Sequence, residues 1–188
     1  MDNDLKKALE VLRGGGVILY PTDTIWGLGC DATNTAAVAR IYAIKKREDT
    51  KQMLVLMENP ALLTRYVADI PDVAWDLIDL STAPLTVIYP GARNLAANLI
   101  APDGSIGIRF TREQFTSALL QRFRKPLVST SANISGQPAP ANFSCIDKEV
   151  KSQVDYVVKY RQDDLTPAEP SRIIKMDAKG RIDIIRNQ

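Results

Sequence analysis

Two polar segments far apart in the chain carry the residue types that could do chemistry. Lys45-Lys46-Arg47, followed by Lys51, supplies fixed positive charge. Ser129-Thr130-Ser131-Ala132-Asn133-Ile134-Ser135-Gly136 supplies hydroxyls, an amide and a glycine-containing turn just after an apolar strand. A site that holds a polyphosphate and stabilises charge moving between its oxygens needs these parts. Arginine suits bidentate contact with phosphate, and lysine acts as a mobile point charge. Each segment also has a plainer reading. The first is a solvated helix end partly neutralised by Glu48 and Asp49; the second is a strand end closed by an Asx or ST turn. The density of hydroxyls at the C-terminal end of a strand, where open α/β sheets bind ligands, favours a site.

Three other places bear on the same question. Thr22-Asp23-Thr24 follows the apolar run 17–20, and Pro21, Gly27 and Gly29 let the backbone turn sharply there. Arg109 lies inside Ile106-Gly107-Ile108-Arg109-Phe110, where a cation is costly to bury unpaired, so it is expected to meet a carboxylate from the protein or from a ligand. Ser171 and Arg186 lie in a C-terminal hairpin and are unremarkable alone.

Composition closes off several chemistries. The chain has no histidine, which excludes a Ser-His-Asp triad, a Cys-His pair and a histidine-ligated metal. Cys30 and Cys145 are the only cysteines and have no metal-ligand spacing, as expected of reduced thiols in a reducing compartment. There is no GxxxxGK[ST], no GxGxxG after the first strand, no GxSxG elbow and no HExxH. The 188 residues are 45% hydrophobic, enough for one domain with a real core. A net charge of +2 means that any basic surface is local. No apolar run approaches the roughly 20 residues that span a bilayer, and the acidic Met1-Asp2-Asn3-Asp4 is unlike a signal peptide. The expectation is a soluble, cytoplasmic protein with no membrane partner.

The elements that position these residues alternate between helix and strand. Leu5, Ala8, Leu9 and Leu12 form one helical stripe over 4–13, with Asp2, Asn3 or Asp4 as its cap and Gly14 to Gly16 as its end. Strands are expected at 17–20, 53–57, 85–89, 105–110, 126–128 and 156–158. Helices are expected at 35–45, 60–67, 72–80, 144–153 and from a Thr111-x-x-Gln114 capping box to about Phe123. A hairpin closes the chain, 171–176 with 181–186. The alternation predicts an α/β domain with a mixed sheet, and nothing marks a second domain within 1–188. Residues 161–170 read as a surface loop.

Taken in order, Tyr20-Pro21-Thr22-Asp23-Thr24 with Gly27-Leu28-Gly29, Lys45-x-Arg47, Pro84-Leu85-Thr86, Gly107-Ile108-Arg109 and Ser129-Thr130-Ser131-Ala132-Asn133-x-Ser135-Gly136 resemble the YrdC/Sua5/TsaC family, the L-threonylcarbamoyladenylate synthases. The resemblance covers about Gly15 to Arg186. It implies an open twisted mixed sheet with flanking helices around a large basic cavity, in the short single-domain form. It implies formation of threonylcarbamoyl-AMP and pyrophosphate from L-threonine, bicarbonate and ATP, with Mg²⁺ carried by ATP and no dedicated protein ligands. The product serves the t6A modification at tRNA position 37, which makes tRNA and the transfer proteins expected partners. By matching position, Thr24, Arg109, Ser129 and Ser171 would contact threonine; Lys45 and Arg47 would be catalytic. Arg47, Lys51, Ser105, Ser131, Asn133, Ala139 and Arg186 would face ATP. The chain departs from the family pattern at Glu48, at Leu56 (where many members have histidine), at Ser81-Thr82-Ala83 and at Arg172.

The implied reaction brings two anions together. Threonine's amine adds to bicarbonate or CO2, and the carbamate oxygen then attacks the α-phosphate of ATP in line, expelling pyrophosphate. Lys45, Arg47 and Lys51 would offset the repulsion, Ser131 and Asn133 would orient the phosphates, and Arg109 would hold the amino acid's carboxylate. No histidine is needed and no protein general base is evident in the sequence, with Asp23 a candidate only. Two alternatives stand beside this reading. A carbamoyl-transfer domain of the hydrogenase-maturation type would use carbamoyl phosphate, but belongs to far longer chains with zinc-finger-like cysteines. A non-catalytic RNA-binding module finds little support in 6% aromatic residues.

Overall fold

In the computed structural model, which describes residues 1–46 and 53–187, nine strands form one sheet in the order β7-β1-β2-β6-β3-β5-β4-β8-β9. The strands are β1 (Ile18–Tyr20), β2 (Gly27–Gly29), β3 (Leu54–Met57), β4 (Leu85–Tyr89), β5 (Ile106–Phe110), β6 (Leu127–Ser131), β7 (Tyr156–Val157), β8 (Arg172–Met176) and β9 (Ile182–Arg186). β3 runs parallel to β5, β4 to β8 and β1 to β7, and the remaining pairings are antiparallel, so the sheet is mixed as expected. The helices are α1 (Asp2–Arg13), α2 (Thr35–Ile44), α3 (Leu63–Tyr66), α4 (Asp72–Leu80), α5 (Gln114–Phe123) and α6 (Lys148–Ser152).

The alternation of side chains along each strand sorts the core into two layers. Ile18, Tyr20, Leu56 and Leu127 pack under α1 and α5 with Leu5, Leu12, Phe115 and Leu119. Leu19, Val55, Met57, Ile108 and Val128 face the other way, against Val38, Ile41 and Tyr42 of α2 and Ala74 of α4. The predicted α1 stripe is buried at Leu5, Ala8 and Leu12.

Several expectations change. The N-cap of α1 is Met1, without a side-chain cap, because Asp2, Asn3 and Asp4 already lie in the first turn. Asp4 instead accepts hydrogen bonds from the Tyr156 hydroxyl and the Lys159 amide. Helix α5 is capped by Glu113, whose carboxylate accepts from Thr116 N, and Thr111 sits two residues earlier, accepting from Glu113 N. Gly27–Gly29, which the sequence shows only as a turn region, is an interior strand. Its glycines are what permit it: a Cβ on Gly29 would lie 2.6 Å from Tyr20 Cε1 and 2.9 Å from Val128 O. The serine-rich hydroxyls do not follow a strand; Ser129, Thr130 and Ser131 are the second half of β6. Residues 144–153 divide into a 3₁₀ turn at Phe143–Cys145 and the short α6. Cys30 is buried and Cys145 exposed, and both are free thiols. Among the described residues no helix is long and apolar enough to cross a membrane.

Candidate functional site

A hollow of about 340 Å³ spans one face of the sheet from β2 to β9. The period of two along each strand aims its lining there. Gly107 and Arg109 come from β5, Thr86 and Ile88 from β4, Ser129 and Ser131 from β6, and Ile173 and Arg186 from β8 and β9. Loops contribute Thr24, Ser105, Ala139 and Ser171. A Cβ on Gly27 would come within 3.3 Å of Ser129 Oγ, so the glycine leaves that hydroxyl open to the hollow.

One register row carries much of the charge. Arg109 pairs with Thr86, Thr86 with Ile173, and Ile173 with Arg186, which sets two arginines across four adjacent strands. Arg109 is only 3% exposed, and its Nη2 meets Asp23 Oδ1 at 3.1 Å. The protein thus supplies Arg109 with one carboxylate of its own. The contact leaves Arg109 Nε without a hydrogen-bond partner, so the guanidinium retains donor capacity for a ligand. Arg186 donates to Ser171 O, and its pKa is pulled below the ordinary arginine range by burial and then by Arg109. Two cations held together in this way favour an anion between them.

The hydroxyls are ordered by their neighbours. Thr22 Oγ1 donates to Ile25 O at 2.8 Å and accepts from Thr24 N at 2.9 Å. With its one proton spent, Thr22 must accept from Thr24 Oγ1 at 3.0 Å, so Thr24 turns lone pairs toward the hollow. That suits an ammonium group beside the arginine that would take a carboxylate. On the opposite wall Thr86 Oγ1 and Ser171 Oγ share a hydrogen bond of 2.8 Å. Thr86 belongs to the Pro84-Leu85-Thr86 segment, yet no side-chain role attaches to it in the sequence; its position opposite Arg109 supplies one.

Lys45 caps the end of α2 and is 1% exposed. Its Nζ donates to Ser131 O, to Asn133 O at 2.8 Å and to Asn133 Oδ1 at 3.4 Å. The two segments singled out by residue type therefore meet. Neither Lys45 nor Asn133 is among the residues lining the hollow; the Asn133 amide nitrogen donates to Ile134 O and Gln137 O and closes the turn that contains Gly136. Lys46, at a left-handed φ of 49°, turns away to pair with Glu149. Arg47 and Lys51 lie outside the described residues. Of the remaining expected positions, Thr24, Ser105, Arg109, Ser129, Ser131, Ala139, Ser171 and Arg186 all line this one hollow.

The Sua5_yciO_yrdC family, described as "Telomere recombination", matches residues 10–188. A threonylcarbamoyl-AMP synthase from Pseudoalteromonas translucida is 38% identical over 154 residues, 80% of this chain and 82% of the relative. Among solved structures, E. coli YciO superposes with a TM-score of 0.86 at 24% identity, covering 100% of this chain and 90% of that one. P. abyssi Sua5 complexed with L-threonine superposes with a TM-score of 0.82 at 21% identity, covering 92% of this chain and 50% of that one.

Proposed function

The chain belongs to the Sua5/YciO/YrdC family, and on that premise we propose that it is a threonylcarbamoyl-AMP synthase, a nucleotidyltransferase acting on L-threonine, bicarbonate and ATP. The observation that carries the reading is the meeting of Lys45 with Ser131 and Asn133 beside a hollow that holds Arg109 and Arg186. A sheet of this kind has been solved with L-threonine in P. abyssi Sua5.

In this reading Arg109 takes the threonine carboxylate and the Thr24 oxygen accepts from its amine. Ser129 and Ser171 bound the side chain. Once the neutral amine has added to bicarbonate with loss of water, the carbamate is an anion that must approach an α-phosphate. Lys45, Arg47 and Lys51 lower that repulsion, while Ser131, Ala139 and Arg186 fix the nucleotide and Asn133 holds Lys45 and the turn beside them. Lys45 acts partly through the backbone, because its ammonium holds the β6 end and the following turn in one shape.

Among the described residues no group of three or more His, Cys, Asp or Glu side chains could hold a metal. The described lining charges of the hollow are arginines. In this reading magnesium would come with ATP as the MgATP substrate and would supply charge neutralisation there. The product's use in tRNA modification, and a cytoplasmic setting that suits two free thiols, complete the proposal.

The test is pyrophosphate release with ATP and bicarbonate, run with threonine, with serine and with neither. Threonine-dependent release is expected. Release driven by carbamoyl phosphate in place of threonine and bicarbonate, or tRNA binding with no release, would replace this function with one of the two alternatives.

A further inference from the structure

Ser105 stands at the entrance to β5, four residues before Arg109 and so roughly 13 Å from it along the strand. Its side chain is nearly buried and lines the hollow. The hydroxyl donates to Asp103 Oδ1 at 2.6 Å, and the same oxygen accepts from Ser105 N at 3.0 Å. The other Asp103 oxygen meets Lys175 Nζ at 2.7 Å. A serine hydroxyl has one proton, and an ionised carboxylate can only accept. The lysine bond, followed by that from Ser105, holds the Asp103 carboxyl down at about 2, so it is ionised throughout the neutral range.

Resting on the reading of this hollow as an ATP site, we propose that Asp103 is a positioning residue that turns Ser105 into an acceptor-only contact. That contact selects a neutral hydrogen-bond donor of the nucleoside, either the exocyclic amine of adenine or a ribose hydroxyl. A phosphate oxygen offers no proton for the lone pairs of Ser105 and would face the Asp103 carboxylate beside it. Lys175, the cation next to that carboxylate, is paired with it. The arginine row lies at the other end of β5. The walls near Ser105 include Ala101, Ile88 and Ile106, a surface that suits a planar base more than a charged group. The nucleoside therefore points to the Ser105 end, which leaves the phosphates for Lys45, Ser131 and the arginines.

Direct binding to the full chain tests this, with ATP, ITP, 2′-deoxy-ATP, 3′-deoxy-ATP and inorganic tripolyphosphate as titrants. Ser105→Ala is expected to weaken ATP about tenfold while tripolyphosphate changes by less than about twofold. Asp103→Ala frees the hydroxyl proton; it should weaken ATP and leave tripolyphosphate unchanged or tighter. A melting curve for each variant guards against a collapsed loop, and Ser105→Ala keeps the test alive if Asp103→Ala unfolds. A wild-type loss for ITP that disappears in Ser105→Ala identifies the amine; a loss confined to a deoxy-nucleotide identifies the ribose. Equal weakening of ATP and tripolyphosphate in Ser105→Ala overturns the inference, as does a wild type indifferent to all three analogues. If threonine-dependent pyrophosphate release persists in that case, the enzymatic reading survives. A wild type that binds no ATP overturns both.

Discussion

Two hollows lie on opposite faces of β4 and β5, with volumes of about 340 and about 430 Å³. Thr86 and Ile88 face the smaller; Leu85 and Val87, one residue out of step, face the larger. The smaller has arginines and hydroxyls. The larger has Asp23, Glu58, Asp79 and Glu113 against the single cation Arg112 among its described lining. Volume does not separate them, since both could seat a small molecule. Charge does: only the first can take an anion without a counter-ion of its own. The Asp23–Arg109 pair joins the two, its carboxylate lining one hollow and its guanidinium the other. Strand periodicity has thus kept acid and base chemistry apart by the thickness of a single sheet.

The division can be broken by experiment. Lys45→Ala or Arg47→Ala should lower threonylcarbamoyl-AMP formation about a hundredfold or more, the loss typical of a preorganised charged donor. In Lys45→Ala the melting temperature should also fall, because the Ser131 and Asn133 carbonyls lose their partner. Wild-type turnover in either variant would remove the cationic face from the chemistry. Next in size, Arg109→Gln should raise the threonine KM about thirtyfold, as expected for loss of a charged hydrogen bond. An increase in the ATP KM instead would reassign that arginine to the nucleotide. Ser129→Ala should cost about fivefold in threonine KM, a neutral hydrogen bond's worth. The smallest effect is expected on the other face, where Glu58→Gln combined with Asp79→Asn should leave kcat and both KM values within about twofold, as for surface changes away from a site. A loss there matching Ser129→Ala would mean that the acidic hollow takes part.

Much of this was legible in the residues because the relevant signals are local. The 3.6-residue stripe of α1, the apolar run of β3 and the hairpin β8–β9 follow from pattern alone. Lys45 and Ser131 could be paired in advance by chemistry, though not by distance. What stayed hidden depends on partners far along the chain. Gly27–Gly29 has no β-branched residue to mark it, and only the approach of Tyr20 and Val128 makes it a strand. Thr111 and Glu113 offer similar capping chemistry two residues apart, and the backbone geometry chooses Glu113. The residues leave the Arg109 counter-charge to an unnamed protein carboxylate or a ligand, and only the turn at 22–24 brings Asp23 to it. Asp103 reads as an ordinary turn aspartate until Lys175 arrives from β8, 72 residues later. Asn133 has the right type for a phosphate contact, but its amide nitrogen is engaged by the turn it closes.

The hydroxyl contact between Thr86 and Ser171 joins positions 85 residues apart, across the parallel pair β4–β8. Closing a loop of that length costs conformational entropy, which the contacts at this margin of the sheet must offset. β9 hangs on β8 alone, with Ile184 and Ile185 open to water. Fraying of these two strands would carry off Ser171 and Arg186 together while the β1–β6 core stood. An anion lodged between Arg109 and Arg186 acts as a clasp on that margin, so substrate and the last two strands hold each other in place.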